Sequence, residues 1–120
     1  MKIEHLAIWV KDLEAMKQFY TKYFNMKCSK KYVNPKKKFS SYFLSFAGAE
    51  SRIEIMHKPE ISEALKDKTL TFGLTHFSIS VGNKQKVDEL TLHFRKDGFL
   101  ITGEPRTTGD GYYESVVLDP

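Results

Sequence analysis

A chain of 120 residues, 41% hydrophobic and 28% charged with a net charge of +4, has the size and balance of one soluble globular domain. No apolar run approaches the roughly 18 residues of a membrane helix, and the early acidic residues of MKIEHLAIWVKD argue against a secretory leader. The single cysteine, Cys28, excludes an internal disulfide and suits a reducing compartment, so a cytoplasmic protein without a membrane partner is expected.

In EHLAIWV (4–10), His5, Ala7 and Trp9 alternate with Leu6, Ile8 and Val10, the period of a strand. Asp12 is placed to cap a helix in which Leu13, Met16, Phe19, Tyr20, Tyr23 and Phe24 recur at three-and-four spacing, so those rings belong to a core. Strands are expected over 26–33, 39–47 (FSSYFLSFA) and 52–56 (RIEIM). Much of the positive charge sits in SKKYVNPKKKF (29–39), flanked by Tyr32 and Phe39. Nucleic-acid binding would require such rings interleaved with the lysines on one face. Asn34 and Pro35 instead mark a solvated loop, and no nucleic-acid partner is expected.

The segment 57–74 (HKPEISEALKDKTLTFGL) is a linker, with Pro59, a short helix over 60–67 and Gly73 at its exit. After it the grammar of the first half returns. THFSISV (75–81) has strand alternation, and Asn83 can cap a helix whose stripe is Val87, Leu90 and Phe94. Gly98 suits the left-handed position past its end. Strands follow over 98–103 and 112–118 (YYESVVL).

Setting 5–24 over 76–95 without a gap puts His5 on His76, Ile8 on Ile79, Val10 on Val81 and Phe19 on Leu90. The fold predicted is therefore α+β, one domain of two βαβββ modules: 1–56, the linker 57–74, and 75–120 with its last strand missing. The final LDP (118–120) is a turn signal with nothing after it, so a short further strand is expected beyond Pro120.

Three residues carry the chemistry of a metal site. His5 and His76 occupy equivalent strand positions in the two modules, and Glu54 lies between Ile53 and Ile55 on the strand ending module one. A carboxylate so flanked must be solvated, salt-bridged or ligating. Each histidine taken singly is more often structural than ligating. Their equivalence raises the odds, because a pseudo-twofold axis brings matching positions together, and two histidines with a carboxylate suit Zn²⁺, Ni²⁺, Mn²⁺ or Fe²⁺.

These segments, EHLAIWVKDLEAMKQFYTKYFNMK, RIEIM, GLTHFSISV and YYESVVLDP, resemble the vicinal oxygen chelate superfamily, also called the glyoxalase/bleomycin-resistance/dioxygenase family. The resemblance spans nearly the whole chain and implies paired modules whose curled mixed sheets enclose a cleft, helices outside. It implies His5, Glu54 and His76 as ligands of a divalent metal, the order and residue types of glyoxalase I-like and methylmalonyl-CoA epimerase-like members. Extradiol dioxygenases and fosfomycin-resistance enzymes lack the first-module glutamate, so Glu54 argues against them. The family's fourth ligand and proton-transfer group is a glutamate just after Asp-Pro-x-Gly, which falls beyond Pro120; Glu114 is not at the matching position.

The activity so implied is a lactoylglutathione lyase-like abstraction of a proton α to a carbonyl in a small-molecule substrate, aided by the metal as a Lewis acid. Trp9, Phe46, Arg52, Arg106 and Tyr113 are the expected substrate-binding residues, with Arg106 suited to an anionic group. Tyr112 and Tyr113 alternate sides, so one of them faces the cleft. The rivals are an epimerase or dioxygenase of the same superfamily, or a non-catalytic antibiotic binder of the bleomycin-resistance type. A trap for cations would favour acidic walls, which the basic composition does not offer. A homodimer is expected, since the family closes its sheet edges by pairing subunits.

Overall fold

The strand alternation of residues 4–10 becomes β1 (His5–Trp9) in a computed structural model that describes residues 3–61 and 74–120. The chain divides into two compact units, Met1–Ala64 with Pro120 and Leu65–Asp119.

In the first unit β1 leads into α1 (Leu13–Phe24), β2 (Lys27–Cys28), β3 (Tyr32–Asn34), a 3-10 turn (Pro35–Lys37), β4 (Phe39–Ser45) and β5 (Arg52–His57). Asp12 starts α1 as expected, its Oδ1 accepting from the Glu14 and Ala15 amides at 2.9 and 3.0 Å. Asn25, in the left-handed region at φ 51°, ends it. The sheet runs β1-β5-β4-β2 with β3 also on β4. β1 and β5 are parallel, whereas β4 is antiparallel to each of its partners.

The strand expected over 26–33 is two short strands instead. Between them Ser29 answers Phe43 with its side chain: its N–H donates to the Phe43 carbonyl, and its hydroxyl accepts from the Phe43 N–H. A hydroxyl standing in for a backbone carbonyl breaks the regular ladder there. β4 stops two residues earlier than expected, where a turn carries the Ala49 N–H to the Phe46 carbonyl.

Alternation then sorts the two faces. Ile53 and Ile55 pair in register with Leu6 and Ile8 on one side and with Leu44 and Tyr42 on the other. Together with Leu13, Met16, Phe19, Tyr20 and Tyr23 of α1 they form the core, where Leu44 and Ile55 are wholly buried. Full burial of such a side chain stabilises by roughly 1.5–3 kcal/mol. The opposite face carries His5, Trp9, Phe43, Arg52 and Glu54.

The second unit holds α2 (Lys84–Lys96), β6 (Ile101–Thr107) and β7 (Tyr113–Val117), the strands forming an antiparallel hairpin. Asn83 caps α2 by accepting from the Lys86 amide, and Gly98 takes φ +86° just past its end, both as expected. Phe99 donates back to Phe94, so the chain straightens only at Ile101, three residues later than the sequence suggested. Gly103 is required by packing: a Cβ there would stand 2.9 Å from both Val116 and the Arg106 guanidinium. Thr91, almost fully buried, donates to the Val87 carbonyl and bonds Ser115 at 2.7 Å, tying helix to hairpin.

The strand expected at 75–81 is corrected, since the described residues 74–81 make no ladder. In the first unit β1 pairs only with β5, the unit's last strand. The second unit offers no such strand after β7 up to Pro120, and an extended segment without a partner is not a strand. The helix expected over 60–67 and most of the 57–74 linker lie outside the described residues.

Candidate metal centre

β1 and β5, hydrogen-bonded in parallel, set Ala7 opposite Glu54 and His5 opposite Arg52. All four belong to the face turned away from α1. The result is a short chain of polar groups running from Arg52 through Glu4 and His5 to Glu54. The Arg52 guanidinium pairs with one Glu4 oxygen, and the other Glu4 oxygen meets His5 Nδ1. His5 Nε2 then faces the Glu54 carboxylate at 3.9 Å. The ring of Phe43 walls the group, 5.5 Å edge-on from His5 and 4.0 Å beneath the Arg52 guanidinium.

The electrostatics follow from these contacts. The hydrogen bond from His5, and after it that from Arg52, holds the Glu4 carboxyl below its ordinary 4.5. A carboxylate only accepts, so the His5 Nδ1 bonded to Glu4 carries a proton, which leaves Nε2 as the outward ring nitrogen. Nε2 is turned toward a second carboxylate, Glu54, whose side chain is 15% exposed. The 3.9 Å gap between them is within twice the ~2.0–2.2 Å that Zn²⁺ takes to imidazole or carboxylate, so a cation could stand between the two groups. A histidine oriented by a carboxylate on its far nitrogen is the usual arrangement for a metal ligand. His5 and Glu54 therefore fit a divalent metal.

The other expected residues fall as follows. Trp9 lies further along the same face, its ring edge-on to Phe39 at 6.1 Å. Phe46 sits just past β4 at the 46–49 turn, 37% exposed. His76 belongs to the second unit, on the exposed segment ahead of α2. Arg106 reaches Glu114 at 3.3 Å across the hairpin. Tyr113 takes the side facing α2, where its hydroxyl donates to Asp88 at 2.8 Å and Lys84 lies over its ring. That bond holds the Tyr113 proton and raises its pKa, so the residue has a structural partner. Within either unit, the described residues hold no group of three His, Cys, Asp or Glu side chains able to bind a metal.

Sequence reasoning missed Glu4 and Phe43. Glu4 precedes β1, so the strand's alternation does not govern it, and its carboxylate swings to the His5 side to meet Arg52. The available signal was the Glu-His pair itself, a carboxylate beside a candidate ligand.

An open mixed sheet backed by one helix, with a His/Glu pair on its free face, and a second unit of one helix and a hairpin, define an α+β protein of the glyoxalase fold. Residues 2–120 match the Glyoxalase/Bleomycin resistance protein/Dioxygenase superfamily, and the chain belongs to that family. It is 30% identical, over 97% of its length, to a lactoylglutathione lyase of Arabidopsis thaliana and to a putative lactoylglutathione lyase of Brassica oleracea. The chain spans 40% of the length of each of these relatives. Among solved structures it resembles the trypanothione-dependent glyoxalase I of Leishmania major, with TM-score 0.70 and 24% identity over 98% of this chain and 86% of that one. A glyoxalase family protein from Enterococcus faecalis superposes with TM-score 0.78 at 19% identity, over 99% and 90% of the two chains. Among the described residues no helix is long and apolar enough to cross a membrane.

Proposed function

We propose that the chain belongs to a metal-dependent lyase of the lactoylglutathione lyase type, with His5, Glu54 and His76 as ligands of one divalent cation. The substrate class is the hemithioacetal of a 2-oxoaldehyde and a thiol. The proton on its sulfur-bearing carbon is removed and returned to the neighbouring carbonyl carbon, converting the adduct to a 2-hydroxyacyl thioester. The observation that carries this is the His5 Nε2–Glu54 carboxylate pair, face to face at 3.9 Å with a second carboxylate, Glu4, holding the histidine from behind.

The cation, Zn²⁺, Ni²⁺, Mn²⁺ or Fe²⁺, would supply Lewis-acid polarisation of the substrate's adjacent oxygens. The chain's own residues do the rest. Glu4 keeps the proton on His5 Nδ1, so that Nε2 stays a ligand. Phe43 and Trp9 give the sheet face apolar surface for the carbon skeleton, and an anionic end of the thiol would have to compete with Glu4 for Arg52 or with Glu114 for Arg106. Phe46 stands at the rim of that surface. No residue up to Pro120 is assigned the proton transfer. The family relatives that carry the activity by name support the substrate class. A homodimer, expected from the open sheet edges, completes the proposal.

The test is metal analysis of the protein and of His5→Ala, Glu54→Ala and His76→Ala, followed by assay on the methylglyoxal–glutathione adduct after reloading with Ni²⁺ or Zn²⁺. One equivalent of metal in the parent and loss of it in the variants is the expected outcome. Undiminished metal in all three variants would sink the ligand set. Full metal without turnover of any 2-oxoaldehyde–thiol adduct would remove the substrate assignment.

A further inference from the structure

The sheet face that carries His5 and Glu54 changes character toward the far end of the same strands. There Trp9 of β1, Met56 of β5, Ser41 of β4 and Tyr32 of β3 lie side by side in register. The ring of Phe39, two residues before Ser41 on the same face, bridges the aromatics at 6.1 Å from Trp9 and 6.0 Å from Tyr32. Trp9 and Tyr32 remain 46% and 54% exposed. The three rings are contiguous but not coplanar, Trp9 standing at 90° and Tyr32 at 60° to Phe39, and they make an apolar patch with Trp9 and Tyr32 half in water.

Positive charge adjoins this patch. The 3-10 turn and the turn after β5 gather Lys36, Lys37, Lys38 and Lys58 around one open groove of about 500 Å³, with Glu60 as the carboxylate in its lining. Lys38 immediately precedes Phe39, and Lys58 immediately follows β5, so groove and rings share the same ends of β4 and β5. The turn is built rather than loose: Asn34 accepts from the Lys37 N–H, and Lys38, at φ 48°, donates back to the Pro35 carbonyl. Four lysines against one carboxylate in the lining of a groove make it a place that favours an anion. Lys31, in contrast, is engaged by Glu14 at 2.9 Å.

We propose that this end of the sheet binds a nucleoside phosphate, its base packed on an exposed face of the Trp9–Phe39–Tyr32 cluster and its phosphates among Lys36, Lys37, Lys38 and Lys58. Rings alone accept any flat molecule and lysines alone accept any anion; together they select a ligand that is both. The charge is confined to one groove rather than spread as a stripe along a face, which suits a single nucleotide and not a strand of nucleic acid. The site lies within the first unit and stands whether or not the chain is a lyase.

Trp9 is the only tryptophan, so its fluorescence reports directly on the patch. The full chain is titrated with ADP, adenosine, pyrophosphate and a short single-stranded oligonucleotide, at low and at high salt. ADP is expected to quench Trp9 saturably and to bind at least about tenfold tighter than adenosine or pyrophosphate, with affinity falling as salt rises. Replacing Lys36, Lys37 and Lys38 together by Ala, and separately Tyr32→Ala, should each weaken ADP about tenfold, these side chains lying at the surface where the fold tolerates change. Circular dichroism of each variant checks that the fold is kept. Lys58→Ala gives an independent variant should the triple change not fold. No saturable ADP binding, or ADP no tighter than pyrophosphate, overturns the site. An affinity that rises with each added nucleotide overturns it in favour of nucleic acid.

Discussion

Glu4 is the residue on which the candidate centre turns, because it joins Arg52 to His5 and so decides which imidazole nitrogen faces Glu54. Glu4→Gln removes the anionic acceptor but keeps the shape. Competition against a chromophoric chelator should show Zn²⁺ or Ni²⁺ binding weakened by about 10–100-fold, the usual effect of losing a group that orients a ligand. Binding unchanged from the parent would mean that His5 is oriented by the fold alone. A second single-residue effect belongs to Glu14. The hydrogen bond from Lys31, then that from Tyr42, holds its carboxyl below the ordinary 4.5. Because its folded value is depressed, its contribution to stability is present above the unfolded value and is lost as pH falls through the folded one. Thermal melts from pH 6 downward should therefore lose less stability in Glu14→Gln than in the parent. The difference should be small, since the Glu14 side chain is 58% exposed and well screened.

Elements, one step up in scale, owe their ends to side chains and their middles to packing. α1 begins at Asp12 because its carboxylate takes two amides that the helix itself leaves unbonded. Asp12→Ala should cost about 1 kcal/mol in urea melts, with an unchanged denaturant slope. β4 and β5 owe theirs to the pairing of Leu44 with Ile53 and Tyr42 with Ile55 under α1. Ile55→Ala, at a wholly buried position, should cost about 2–5 kcal/mol. A loss below 1 kcal/mol would mean that the site collapses onto the missing atoms. β2 and β3 differ from both: too short to be stable alone, they are held by β4, with Ser29 replacing part of the ladder.

For the molecule as a whole, the proposed cation should be visible in the melting temperature. Anything that binds only the folded state stabilises it, by about 2.7 kcal/mol at a hundredfold excess over its dissociation constant. Adding Ni²⁺ or Zn²⁺ should therefore raise the melting temperature of the parent and leave His5→Ala nearly unmoved. An equal rise in both proteins would point to binding elsewhere. The same experiment on His76→Ala asks whether the second unit contributes, because a shift as large as the parent's would remove His76 from the ligand set.

The sequence by itself determined the elements whose signals are local. Asp12 and Asn83 mark helix starts because a cap needs only the next three amides, and Gly98 marks an end because a positive φ favours glycine. Alternation in HLAIW and RIEIM was equally legible, since the period of two is carried by the residues themselves. At the site, His5 and Glu54 were legible as residue types at the right parity. Tertiary structure decided the rest, because it depends on what lies across the ladder. Pairing in the parallel β1–β5 register brings His5 Nε2 to Glu54, and it brings Arg52 to a Glu4 that precedes the strand. Among the described residues 75–81 joins no ladder, although its alternation matches that of β1. A side chain's type and direction are local properties of a chain, whereas its partner is chosen by the sheet.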